Sequence, residues 1–467
     1  MNVRARFLGA AGSVTGSRHY LEIDDFKLLI DCGLFQGLKE LRLLNWDQFP
    51  VDPTQIDAIV ITHAHIDHTG YLPKLVKEGY EGPIYCTEAT MELMKIMLLD
   101  AAKLQEEEAR WAKKKGYSKH PDPQALYTTE DAERVFPLIR TTAYDGELNI
   151  HPKVAVKFRN AGHILGAASV ELTVQGDEQT KKIIFSGDLG RSEDPMLYPP
   201  EPVTGADILF IESTYGDREN PINHPMEEFS RIINLAIKER QGCLLIPAFS
   251  VGRTQLLMYY MKTLIETEAI PDIPVYVDSP MAISVTQIHK DFFDYHKLDD
   301  FDLANHHSVF DFKNIQYRRS QEESIQLNYI KKDAIIISAS GMCTGGRIIH
   351  HLYNRLQNEN DTVLFVGYQA EGTRGRRILD GEEKVKMFGY EIPVLCHIEK
   401  IEGLSAHADR TELLTWLKQF NGHPKQTFVV HGEPNTSKSF AATISQDFGW
   451  NVMAPQYKET VELFRGI

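Results

Sequence analysis

His63-Ala64-His65-Ile66-Asp67-His68 sets three imidazoles and a carboxylate side by side, directly after the apolar run 57–62. A surface turn has no use for such a set. Borderline-soft cations such as zinc do, because imidazole nitrogen and carboxylate oxygen are their ordinary ligands. Side chains alternate along an extended segment, so His63 and His65 fall on one side and can grip one ion. Asp67 and His68 follow where the chain bends and can reach a second. Two more candidates sit after strands in the same way. His163 lies in Asn-Ala-Gly-His-Ile-Leu-Gly at 160–166, where small residues let backbones approach closely. Asp188 lies in Phe-Ser-Gly-Asp-Leu-Gly at 185–190, a strand followed by a glycine turn, placed to bridge two ions. With the first motif they complete a dinuclear set. His19 and His120 stand alone and are expected to be non-ligands.

Outward from this motif, the first part of the chain reads as short buried strands at 27–31, 57–62, 154–160 and 182–186. A helix is expected over 90–116. Its acids at 106–108, followed by lysines at 113–115, read as a solvated face with turn-to-turn charge pairs. After Glu212 helices alternate with strands: helices at 225–240 and 253–266, strands at 243–247, 275–278, 334–338 and 362–366. That alternation implies a parallel sheet with crossover connections. From 398 the turn style of the first part returns. The middle therefore reads as an insertion, with 1–211 and 398–467 forming one domain and 212–397 the inserted one.

The 467 residues fit two or three domains, and 42% apolar with 25% charged residues describes a soluble globular chain. Disorder, collagen and coiled coil are excluded, and no apolar run approaches a membrane span. A formal charge of −15 argues against a general binder of polyanions. The five cysteines are dispersed, odd in number and never in CxxC spacing, which points to a reducing compartment, the cytoplasm by default. The basic start, Met1 to Arg6, is followed by an apolar run that Gly9 and Gly12 break too early for a secretion signal.

Three later segments complete a pattern: Phe-Ile-Glu-Ser-Thr-Tyr-Gly at 210–216, giving Glu212; Gly-Leu-Ser-Ala-His-Ala-Asp at 403–409, giving His407; and Phe-Val-Val-His-Gly-Glu at 428–433, giving His431. HxHxDH, a single His, a single Asp and these three motifs together resemble the metallo-β-lactamase superfamily along the whole chain, and within it the β-CASP ribonucleases related to RNase J and to the cleavage and polyadenylation endonuclease. The long interval between Asp188 and His431 leaves room for the insertion that marks this branch. The resemblance implies an α/β fold, an αββα sandwich carrying an inserted β-CASP domain of mainly parallel sheet. It implies one zinc on His63, His65 and His163, another on Asp67, His68 and His431, and Asp188 bridging them, with Mn2+ or Fe2+ as alternative ions. Asp67 and Asp188 are then catalytic through the metals, His407 is the general acid, and Glu212 orients it. Asp409 has the character of a helix N-cap.

For the substrate, the resemblance implies single-stranded RNA, because RNA-processing members carry His at the third motif. Products should bear 5′-phosphate and 3′-hydroxyl ends. The second motif differs from the Ser-Gly-His form of RNase J, and little chain follows His431, so a stand-alone endoribonuclease is expected, with 5′-exonuclease action open. Glycine-rich segments at 337–347 and 367–377 offer Ser338, Ser340, Gly341, Arg347, Arg374 and Arg376 as phosphate contacts, with Arg253 as another and Tyr368 to stack on a base. Residues 335–380 hold five arginines, no lysine and four acids, so a narrow positive slot between two domains is expected in a negative body. A homodimer through the sandwich or tail is compatible with the family. The competing readings are a two-metal hydrolase of a small thioester or lactam, which needs neither Glu212 nor His407, and an inactive RNA-binding scaffold, a class that usually loses metal ligands.

Overall fold

The computed structural model describes residues 1–115, 122–220, 224–298, 309–367, 369 and 372–467; His120 and Tyr368 lie outside them. Two compact units are present: Met1–Glu219 with His407–Ile467, and Asn220–Ala406. They divide a few residues beyond the expected borders at both ends. Ile208–Glu212 is a strand of the first unit's sheet, and His397–Lys400 is the edge strand of the second's.

The first unit is a sandwich of two seven-stranded sheets. One runs Thr460–Phe464, Val3–Phe7, His19–Ile23, Phe26–Ile30, Ala58–Val60, Ile84–Thr87, Ile139–Thr142. The other runs Val452–Met453, Gln426–Val430, Ile208–Glu212, Thr180–Phe185, Ala168–Gln175, Val154–Asn160, Glu147–His151. Each is antiparallel in one half and parallel in the other. Alternating inward residues of both sheets build one core, in which Phe7, Phe158, Phe185, Phe210 and Phe428 are all buried. The helix Glu88–Lys115 follows the strand Ile84–Thr87.

The second unit is centred on a six-stranded, all-parallel sheet in the order Ile315–Tyr317, Val275–Asp278, Ala334–Ser338, Cys243–Pro247, Thr362–Phe365, His397–Lys400. Cys243–Pro247 and Ala334–Ser338 are buried on both faces, as strands covered by helices on each side must be. The helix Arg253–Glu266 and the strand Cys243–Pro247 fall at their expected bounds. The helix expected over 225–240 is α-helical only for Pro225–Asn234 and continues as a π-helical turn, Leu235–Glu239.

One close approach in the first unit fixes the position of residues 66–68. Backbone bonds run from Ser17 N to Asp67 O (2.8 Å), Cys32 N to His68 O (2.8 Å) and Leu34 N to Ile66 O (2.9 Å). A Cβ on Gly33 would stand 1.6 Å from the Asp67 carbonyl oxygen, so only glycine fits. Gly33→Ala should therefore lower stability by about 2 kcal/mol or more through overpacking, whereas Gly345→Ala, whose added methyl meets nothing within 4 Å, should shift it by less than about 0.5 kcal/mol. Equilibrium denaturation of the two variants measures the difference.

Candidate metal centre

The donors stand where strands of the first unit end. His63 and His65 follow Ala58–Val60, and the short helix Ile66–Thr69 then turns Asp67 and His68 inward. His163 follows Val154–Asn160, Asp188 follows Thr180–Phe185, Glu212 ends Ile208–Glu212, and His431 follows Gln426–Val430. His407 precedes the helix Arg410–Leu417, whose N-cap is Asp409 in a capping box with Glu412. That placement matches the cap character read from the sequence.

Two groups of donors converge, His63, His65, His163 and Asp188, and Asp67, His68 and His431, and a third set, Asp188, Glu212 and His431, overlaps them. In the first, His65 Nδ1 lies 3.1 Å from His63 Nε2 and 3.2 Å from His163 Nε2, while Asp188 Oδ2 lies 3.5 and 3.6 Å from those two Nε2 atoms. In the second, His431 Nε2 lies 3.2 Å from His68 Nε2 and 3.5 Å from Asp67 Oδ2. The other oxygen of Asp188, Oδ1, faces this group at 3.4 Å from both His68 Nε2 and His431 Nδ1. Ligands about 2.1 Å from a tetrahedral ion are about 3.4 Å apart. The observed separations are those of donors arranged around a cation, with Asp188 presenting one oxygen to each group. Asp188 Oδ1 is buried and accepts no hydrogen bond among the described residues, as a carboxylate kept for a cation would.

The electrostatics agree. Burial pushes the pKa of His63 well down and that of His65 to about 4, so both imidazoles stay neutral. Burial opposes ionisation of Asp67 and Asp188, but His431 and His68 outweigh it, holding Asp67 at about 2 and Asp188 well below the usual carboxylate range. Neutral imidazole and ionised carboxylate are the ligating forms. His68 goes the other way: burial lowers its pKa, but Asp188 and Asp31 raise it more.

Asp31 is a residue the sequence reading passed over. Buried at the end of Phe26–Ile30, its Oδ2 takes a 2.7 Å hydrogen bond from His68 Nδ1 and a 3.1 Å bond from Ser17 Oγ, and its Oδ1 accepts the Thr62 N–H at 2.8 Å. This leaves His68 Nε2 directed at the donor group, the usual outer support of a metal-ligating histidine. The only sequence signal was an acid at a strand end, two residues before a glycine. Beside the donors, His407 Nδ1 lies 3.3 Å from Glu212 Oε1, which also accepts the Leu189 N–H at 2.7 Å; Glu212 Oε2 accepts the Thr214 N–H at 3.1 Å. Both oxygens of Glu212 are thus engaged. Burial would lower the His407 pKa, but Glu212, then Asp188 and Asp67, raise it to about 9. His19 packs on Phe185 and Phe210, outside every converging donor group.

The expected phosphate contacts all belong to the second unit, near the carboxyl ends of its strands. Two are committed inside it. Ser338 is buried and its Oγ donates to the Asp278 carbonyl. Arg347 donates to the Asp278 carboxylate at 2.7 Å and to the carbonyls of Arg318 and Arg319. Both thus hold the end of Val275–Asp278. Ser340 bonds Thr344 in its turn, Gly341 packs against Phe249, Arg374 donates to the Cys343 carbonyl, Arg376 pairs with Asp380, and Arg253 opens its helix after Gly252.

Residues 19–219 match the metallo-beta-lactamase superfamily, 254–378 the Beta-Casp domain, and 391–455 the Zn-dependent metallo-hydrolase RNA specificity domain. Over 91% of its length the chain is 35% identical to Ribonuclease TTHA0252 of Thermus thermophilus, covering 92% of that protein. Over 99% it is 31% identical to Transcription termination factor FttA of Pyrococcus abyssi, covering 71% of it, and 29% identical to the factor of the same name from Methanocaldococcus jannaschii, covering 72%. The crystal structure of a protein of unknown function from Enterococcus faecalis V583 shares the fold, with a TM-score of 0.55 at 13% identity over 99% of this chain and 100% of that one. Fold and site together define a metal-dependent hydrolase. This chain belongs to the metallo-β-lactamase superfamily, in its β-CASP ribonuclease branch.

Because Asp31 lies in neither donor group yet orients His68, Asp31→Ala should weaken metal binding about 10- to 100-fold with the seven donors intact. Competition with a chromophoric chelator measures this, and an unchanged affinity would leave Asp31 with a folding role alone.

Proposed function

We propose that this chain is a two-zinc ribonuclease that cuts single-stranded RNA endonucleolytically in RNA processing or decay. The observation that carries the reading is the Glu212–His407 pair beside the donor groups, because hydrolysis of a thioester or lactam has no need of it. His63, His65 and His163 would hold one ion, Asp67, His68 and His431 the other, and Asp188 both. Bound divalent ions would supply a solvent nucleophile near neutral pH and charge for the phosphate.

The chain's own groups do the rest. Glu212 accepts a hydrogen bond from Nδ1–H of His407, which fixes the ring and aims Nε2–H at the departing 3′-oxygen, so that His407 protonates the leaving group. Asp409, by capping the following helix, fixes the backbone that carries His407. Arg253, Arg374, Arg376, Ser340 and Gly341 remain as contacts for the RNA backbone; Ser338 and Arg347 support them from within. A ligating His431 favours RNA over DNA, as the family pattern implies. The five cysteines are buried free thiols, which suits a reducing compartment such as the cytoplasm. Among the described residues no helix is long and apolar enough to cross a membrane.

RNA labelled at one end and carrying a 5′-hydroxyl, monophosphate or triphosphate should be cut at the same internal positions, with a 5′-phosphate on each downstream fragment and a 3′-hydroxyl on each upstream one. RNA left intact at low salt while a thioester or β-lactam turns over would sink the reading.

His407→Ala should keep the full metal content and lose about 10²- to 10⁴-fold in cleavage, whereas Asp67→Ala should lower the metal count itself. Elemental analysis beside single-turnover rates separates the two, and loss of metal from His407→Ala would make His407 a ligand instead.

A further inference from the structure

We infer that Thr214 is a positioning residue that fixes the ring tautomer of His431 and so makes it a ligand. The role assigned to His431 rests on the two-metal reading above; the contacts do not. His431 sits at φ +49, a left-handed backbone that few side-chain-bearing residues adopt, and is held there by its neighbours. Its N–H donates to the Ala10 carbonyl at 2.7 Å, and its own carbonyl accepts the Ser213 N–H at 3.3 Å.

Thr214 meets it twice, with Oγ1 at 3.2 Å from the His431 carbonyl and 3.0 Å from Nδ1. The hydroxyl has one proton. The carbonyl can only accept, so it takes that proton, and the lone pairs of Oγ1 are left to accept from Nδ1–H. Asp188 Oδ1 stands farther from Nδ1, at 3.4 Å, and accepts no hydrogen bond among the described residues. A proton on Nδ1 leaves the lone pair of Nε2 directed at Asp67 and His68, the form a ligand requires. The backbone N–H of the same Thr214 holds Glu212 Oε2 at 3.1 Å. One turn thus sets both a donor of the metal centre and the carboxylate that orients His407.

The test uses the full chain, ¹⁵N-labelled at histidine, with metal removed by chelator. Thr214→Val keeps the shape and deletes the hydroxyl, and Thr214→Ser restores it. Imidazole ¹⁵N shifts should report Nδ1–H at His431 in wild type and Thr214→Ser, and a tautomer mixture in Thr214→Val. Zinc affinity at the Asp67, His68 and His431 group should fall about 10- to 100-fold in Thr214→Val and recover in Thr214→Ser. If Thr214→Val melts early, Thr214→Ala carries the same comparison. Nε2–H at His431 in wild type, or an unchanged tautomer in every variant lacking the hydroxyl, would overturn the inference. A wild-type chain that binds no second zinc would overturn the two-metal reading instead, with the metal-free spectra still deciding on Thr214.

Discussion

The HxHxDH end of the site depends on three backbone hydrogen bonds that bind residues 66–68 to Ser17, Cys32 and Leu34. They force the Asp67 carbonyl into the space a side chain on residue 33 would occupy, and the glycine there makes that approach feasible. Arg18 reinforces the same joint. Its buried guanidinium donates to the Gly33 carbonyl at 2.8 Å and to Asn45 Oδ1 at 3.2 Å, while lying 4.1 Å from the ring centre of Tyr71. Asp31, at φ +61, turns the strand Phe26–Ile30 into this joint and hands its carboxylate to His68. The HxHxDH motif is thus held by segments that carry no metal donor themselves.

The remaining donors arrive through strand register. In the second sheet of the sandwich Phe185, Phe210 and Phe428 are paired across three parallel strands, and their ring centres lie 4.3 and 4.9 Å apart. A few residues on, the same strands deliver Asp188, Glu212 and His431. A slip of one residue would turn the phenylalanines out of the core and carry all three functional side chains to the wrong face, so the core packing that selects the register also assembles the site. A buried aromatic row, chemically inert, is in this way a condition of the chemistry.

Legibility in the sequence depended on how local each signal was. Cys243–Pro247 and Arg253–Glu266 were readable because an apolar run and a helical period are properties of the segment alone. The convergence of the candidate donors was legible because four of them are crowded into one motif and the others repeat its strand-end setting. Asp31 and Thr214 were not, since each acts through a histidine far away in sequence, and an acid or a threonine at a strand end is an ordinary sight. The internal bonds of Arg347 were illegible for a related reason. Its glycine-rich neighbourhood looks like a phosphate loop, but its partner, Asp278, lies 69 positions earlier, and that buried carboxylate also receives His351 and Ser324. A buried acid with three donors claims an arginine more firmly than a solvated phosphate would, because leaving it unpaired costs several kcal/mol.

Charge illustrates the same dependence on place. A net of −15 describes the whole chain and says little about the donor groups, where two ionised, buried carboxylates lie beside the neutral imidazoles of His63 and His65. Asp67 and Asp188 are held ionised there against burial by the groups around them, His431 and His68 foremost. Divalent ions held by these donors would take over that task, so that metal binding and the charge balance of the core would be one equilibrium. The acidic surface and the cationic site are therefore separate features. The first limits loose attraction to polyanions, and the second acts on a phosphate only where it can approach the donors closely, because a field this local is screened within about 10 Å at moderate salt.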